Sequence, residues 1–272
     1  MVIQKPKLVL DTNICSKLCS STFGYDAPAI KRRLAEQYDI VVSPRSLFEI
    51  LQGTINAKRE EHLQSDKDKL FTLIGPHRPT FLEFPGHFAL RTVLGVVPTV
   101  QALGTETFAQ LVCIVIAAKN LHDLFGSWVE LPFDKAGRYG LERRIVEGER
   151  ADDQAAHRQW LDLAKTLPEG FGTPEAWAYL IGRAHDVHLD HMQTMHLAKR
   201  LSAAYEYQKA KFNVARDNPN LNLAKRDGDW GDFQQLFYLS DPQVHLLTDD
   251  EGIRKTCLAS EDSKRIILLK EV

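Results

Sequence analysis

Apolar residues follow two rhythms along this chain, and the change between them divides it. Near the start, Leu8-Val9-Leu10 is a short apolar run ended by the polar cluster Asp11-Thr12-Asn13, which predicts a buried strand that stops abruptly. Ile14 to Leu18 reads as the start of a short helix. Pro28 then opens another, along which Ile30, Leu34 and Tyr38 keep helical spacing. Asp39 to Ser43 predicts a second strand, rich in β-branched residues. Ser43 and Pro44 read as the N-cap and first residue of the next helix, with Leu47, Ile50 and Leu51 on one side and Glu49 in its second turn. Beyond Gly53 a charged helix carries Leu63, Leu70 and Leu73, and Thr80 to Phe84 predicts a third strand halted by Pro85-Gly86.

From about residue 95 the pattern is helical throughout. Pro98–Phe125, Gly137–Leu167 and Thr173–Ala215 are the predicted helices, separated by Gly/Pro segments such as 168–172. Thr173 followed by Pro174 and Glu175 marks the last start, ahead of an apolar series through Trp177, Leu180, Ile181 and Ala184. The mixed rhythm then returns. Turn chemistry at 218–220 and at Asp227-Gly228-Asp229 precedes a helix over Asp232–Ser240. A strand over Val244–Leu247 ends in Thr248-Asp249-Asp250, and a short helix through Cys257 leads to a last strand at Arg265–Leu269. The expected organisation is an α/β domain whose two parts, 1–94 and 218–272, flank a helical insertion at 95–217.

Composition narrows the function classes. The 272 residues are 44% hydrophobic and 26% charged, as in ordinary globular proteins, and the formal charge of −2 provides no global basic field. A nucleic-acid partner therefore needs a local patch. Basic residues cluster at 31–33, 143–144, 199–200, 209/211 and 225–226, and Tyr205 and Tyr207 interleave with the later ones as on a single-strand-binding face. Lys209, Lys211, Arg216, Lys225 and Arg226 are the candidate contacts, with a solvated helix face as the competing reading. Cys15, Cys19, Cys113 and Cys257 form no paired zinc pattern and suit reduced thiols in the cytoplasm. The most apolar run, Leu111 to Ala118, is too short to cross a bilayer, and Lys5, Pro6 and Lys7 interrupt any leader, so no membrane is expected. His185, His188 and His191 spread over a wide arc if helical, which favours a solvated or core-edge face over a metal site. There is no P-loop and no GxGxxG or GxSxG turn. A haloacid dehalogenase-type phosphatase would want an Asp where this chain has Asn13.

The acids carry the chemistry. Asp11 and Asp249-Asp250 follow predicted strands, at the edge where α/β sheets bind ligands. Glu49 and the pair Asp229/Asp232 lie near helix starts. Carboxylates gathered at one edge repel one another unless a cation neutralises them, and an all-oxygen set without His or Cys suits Mg²⁺ or Mn²⁺ over zinc. Two such ions roughly 4 Å apart can activate a water and stabilise the leaving oxygen of a phosphodiester.

Leu-Val-Leu-Asp11-Thr-Asn, then Ser-Pro-Arg-Ser-Leu-Phe-Glu49-Ile-Leu, then Asp232 followed by Leu-Leu-Thr248-Asp249-Asp250, resembles the PIN-domain nuclease pattern. The resemblance covers roughly residues 1–90 and 218–272. It implies a PIN-like three-layer α/β/α sandwich with a mostly parallel sheet, Mg²⁺ or Mn²⁺, and cleavage of RNA more than DNA. It implies catalytic roles for Asp11, Glu49, Asp232 and Asp250. Asp229 rivals Asp232 as the ligand and Asp249 rivals Asp250, while Asn13 and Thr248 would orient the carboxylates. The chain departs from the family in its insertion, which makes a short toxin-type ribonuclease a poor fit. It also leaves open a lid, a surface for a second copy or a protein partner, or a non-catalytic binding module working through the insertion.

Overall fold

In the computed structural model, the described residues are 5–19, 26–55, 59–74, 80–98, 105–121, 123–124, 151–152, 154–160, 162, 172–218, 220–221 and 227–272. Five strands build one sheet: β1 Lys7–Leu10, β2 Asp39–Val42, β3 Thr80–Phe81, β4 Val244–Thr248 and β5 Ile266–Leu268. Every pairing is parallel and the order is β3-β2-β1-β4-β5. The chain moves outward from β1 to β3, then crosses back to place β4 against the free side of β1. The sheet therefore has its topological switch between β1 and β4, where open α/β sheets form a crevice at their carboxyl edge.

Parallel strands need both faces covered, and the apolar runs here do that by alternation. Leu8, Leu10, Val42 and Leu247 belong to one core, together with Ile14, Leu18, Ile30, Leu47, Ile50, Leu63 and Leu70. These come from α1 Thr12–Cys19, α2 Ala27–Gln37, α3 Pro44–Ile55 and α4 Glu60–Ile74. Val9, Val41, Leu246 and Ile266 point the other way into a second core. That core receives Phe88 and Leu90 from α5 Pro85–Leu94, Trp177 from α7 Pro174–Ala184, and Leu197 from α8 His191–Arg200. Tyr207 from α9 Ser202–Asp217 and Phe233 from α10 Asp227–Gln235 complete this side. The helices of 174–217 thus pack directly against the sheet and share its core. Also described are α6 Thr105–Ala117 on the first face and α11 Glu251–Thr256 after β4.

Several local expectations hold. Ser43 Oγ accepts from the amides of Arg45 (3.1 Å) and Ser46 (3.3 Å), capping α3. Thr173 caps α7 by accepting from Ala176. Others need correction. The third strand is two residues long, and Pro85 begins a helix, since a proline is well placed in a first turn. The helix expected over Thr173–Ala215 is three helices. Asp186 takes a left-handed backbone (φ 54°), and Asp190 with Gln193 forms a capping box that restarts the chain as α8. His185, His188 and His191 consequently lie across a break, not along one helix. Asp227-Gly228-Asp229 is the first turn of α10, and only Leu236–Ser240 continues it, as a 3-10 helix. The helix expected at 98–125 is observed over Thr105–Ala117, and much of 137–167 lies outside the described residues. The four cysteines are free. Among the described residues no helix is long and apolar enough to cross a membrane.

Candidate acidic active site

Asp11 stands where β1 ends, 5% exposed, held to the sheet by its own amide on the Leu247 carbonyl (3.0 Å). Thr248, the last residue of β4 and fully buried, donates its hydroxyl to Asp11 Oδ2 at 2.7 Å. The same hydroxyl receives the amides of Asp250 (3.1 Å) and of the Asn13 side chain (3.4 Å), while Asn13 Oδ1 accepts from the Asp249 amide at 3.4 Å. Asn13 and Thr248 thus stitch the first strand-end to the fourth.

Glu49 arrives from the second turn of α3, half-buried. Thr12 donates to its Oε2 at 2.6 Å, and Arg45, one helical turn earlier, reaches its Oε1 at 3.3 Å. Across from it α10 passes closely: a Cβ at Gly231 would collide with Glu49 Oε1. This close approach brings Asp232, the next residue, into the same crevice. Gln235, one turn on and 2% exposed, donates to Asp11 Oδ1 at 3.4 Å, and its Oε1 is buried with no hydrogen-bond partner.

The electrostatics show which acids share the crevice. Burial pushes the Asp11 carboxyl up to about 6, with Glu49 adding to it and the Thr248 hydrogen bond opposing it. Burial, then Asp11, pushes Asp232 up to about 7, with further contributions from Glu49 and Asp250. Asp11 and Asp232 thus lie within reach of each other's charge and of Glu49's, and Asp232 also of Asp250's. The two rivals are engaged elsewhere: Asp229 pairs with Lys211 at 2.8 Å, and Asp249 pairs with Lys17 on α1. Asp250, exposed at the rim, accepts from the Gly252 amide at 2.6 Å as N-cap of α11. Among the described residues no group of three or more Asp, Glu, His or Cys side chains is set to hold a metal ion.

On the expected nucleic-acid face Tyr207 is placed differently, while Lys209, Lys211 and Arg216 each lie near a carboxylate. Tyr207 is 1% exposed, so it presents no stacking surface. Its hydroxyl donates to Asp232 Oδ2 at 3.0 Å. Tyr205 is half-buried, with its hydroxyl on the Gly172 carbonyl at 3.0 Å. Lys209 lies 4.0 Å from Glu206, Lys211 is taken by Asp229, and Arg216 sits 3.1 Å from Asp217. Lys225 and Arg226 lie outside the described residues. His185 is pressed against Gly86 and stacks edge-on with His87; burial takes its imidazole down to about 4, as for a packed core-edge group.

Sequence reasoning passed over Thr12, Arg45 and Gln235, and read Tyr207 as a stacking aromatic instead of a partner of Asp232. Arg45 and Gln235 had a signal, lying four and three residues from Glu49 and Asp232 on the same helices. Tyr207 had none, because its partner is twenty-five residues away. No protein-family model, no curated protein and no solved structure matches this chain.

Proposed function

We propose that this protein is a divalent-metal-dependent nuclease of the PIN type, hydrolysing phosphodiester bonds in RNA. One observation carries the reading: Asp11 and Asp232 are buried together at the β1/β4 switch, where burial and Glu49 raise both carboxyls, and Asp11 and Asp250 add to the effect on Asp232. An all-parallel α/β sheet with helices on both faces suits the PIN-like sandwich, and RNA as substrate rests on the sequence resemblance.

The donor chemistry suits a hard cation, although the side chains as placed are not gathered around one point. All four acids offer oxygen, and the partnerless Gln235 Oε1 beside Asp11 is a further oxygen. Asp11, Glu49, Asp232 and Asp250 would hold Mg²⁺ or Mn²⁺, whose charge would offset the repulsion that Asp11 and Asp232 meet from the neighbouring acids. A bound ion supplies an activated water and neutralises charge on the phosphodiester oxygens.

The chain's own groups do the rest. Thr248 and Gln235 hold the Asp11 carboxylate from its two oxygens, and Thr12 and Arg45 do the same for Glu49. Such outer partners fix carboxylate orientation before substrate arrives. Arg45, 8% exposed, and Lys17 place positive charge beside the acids, limiting the repulsion a phosphate would otherwise meet.

The test is Mn²⁺-dependent cleavage of single-stranded RNA, structured RNA and single-stranded DNA by wild type and Asp11→Asn, with and without chelator. Cleavage lost in both controls supports the nuclease. Cleavage that survives Asp11→Asn, or RNA binding without any cleavage, overturns it, the latter moving the function to the helical segment.

A further inference from the structure

We infer that Tyr207, on α9, is a positioning residue of the acidic site, acting through Asp232; the inference rests on the nuclease reading above. A phenol buried to this degree must place its hydroxyl proton on an acceptor. Here the acceptor is Asp232 Oδ2 at 3.0 Å. The Asp232 carboxylate is thereby held from one oxygen, and Oδ1 remains for a cation.

What makes Tyr207 a fixed reference is that α9 is anchored independently of Asp232. Ser202 at its start bonds Ser260 Oγ at 2.6 Å and Asp262 Oδ2 at 3.1 Å. Cys257 Sγ contacts the Ala203 carbonyl at 3.4 Å, and Ala203 and Ala204 are buried in the sheet-side core. Lys211, one turn after Tyr207, lies 4.7 Å over its ring while pairing with Asp229. The ammonium thus covers the phenol while pairing with Asp229. A helix of the 95–217 span therefore contributes a side chain to the acid constellation, which the α/β parts alone do not complete.

The experiment uses the full chain and Mn²⁺ as the probe. Tyr207→Phe keeps the ring and removes only the hydroxyl. It is compared with wild type, Asp232→Asn and Tyr207→Leu by calorimetric Mn²⁺ titration, by the Mn²⁺ electron paramagnetic resonance spectrum and by metal-free melting. Loss of a partner behind a metal ligand typically weakens binding about 10- to 100-fold. That loss is expected for Tyr207→Phe, with an altered spectrum and a melting temperature close to wild type. Tyr207→Leu, which melts lower, is expected to bind Mn²⁺ no worse than Tyr207→Phe. Unchanged affinity and spectrum in Tyr207→Phe, or a loss that follows melting temperature across the two variants, would overturn the positioning role and leave the nuclease reading intact. Absence of Mn²⁺ binding by wild type itself would instead overturn the nuclease reading, and the inference with it.

Discussion

The hydroxyl of Thr248 donates to Asp11 Oδ2 at 2.7 Å, across the junction of β1 and β4, both residues almost fully buried. This bond joins residues 237 positions apart in sequence, on strands already paired in the sheet, at the point where the sheet reverses its order. Because that hydroxyl also receives the Asp250 amide, it sets the positions of two acids at once.

Thr248→Val keeps the shape of the side chain and leaves Asp11 and the Asp250 amide without their partner. Stability is expected to fall by about 1–3 kcal/mol, the usual penalty for orphaning buried polar groups. Thr248→Ser is expected to recover most of it. Urea unfolding at neutral pH, read as a midpoint at constant slope, checks both.

The pH dependence has a defined sign. Asp11 and Asp232 have folded-state values raised to about 6 and about 7 from 3.8. In that interval the folded protein binds more protons than the unfolded chain, so their stabilising contribution is complete below 3.8 and is lost as pH rises through 6 to 7. His185, lowered to about 4, acts in the opposite direction, its contribution disappearing as pH falls below 6.5. The difference between wild type and Asp232→Asn isolates the acid. In chelator, melting temperature against pH is expected to fall less steeply for Asp232→Asn than for wild type between pH 5 and 8. Parallel curves would remove Asp232 from the buried pair.

Gly231→Ala separates stability from activity. The added Cβ meets the flexible end of Glu49, which can swing aside, and alanine is the better helix former by up to about 1 kcal/mol. Melting is expected to stay near wild type while Mn²⁺-dependent cleavage drops by an order of magnitude or more, because Glu49 is displaced. A matched melt and cleavage assay on one preparation decides it.

Arg265 is a clamp on the turn into β4. Its guanidinium donates to the carbonyls of Asp241 (2.6 Å), Val244 (2.8 Å) and Leu239, and to Asp262 Oδ1 at 2.6 Å. A lysine cannot reproduce that planar fork. Arg265→Lys is expected to cost about 2–4 kcal/mol in chemical denaturation, within the range for breaking a partly buried network.

How much of this was readable in the chain depends on the range of the interaction. Ser43-Pro44 and Thr173-Pro174 announce helix starts because a cap acts within three residues. Asp190 and Gln193 carried an equally local capping-box signal for the restart at α8, and the apolar series running past it obscured that break. The choice between Asp229 and Asp232 was not readable, since both lie on the exposed-looking start of α10, three residues apart. Docking of α10 against α3 and of α9 against α10 directs one to Asp11 and the other to Lys211. Tyr207 reads as a surface aromatic among lysines, yet its burial comes from α9 packing on the sheet.

By itself the sequence determined the strands and helices that rest on local patterning, the positions of Asp11 and Thr248 at strand ends and that of Glu49 in the second turn of α3, because apolar runs, caps and prolines act over a few residues. The tertiary structure alone decided the order of the strands, the inclusion of the helices of 174–217 in the core, and which carboxylates face one another. Those outcomes depend on contacts between segments far apart in the chain, whose free energies are set by burial and by the charges that burial brings together.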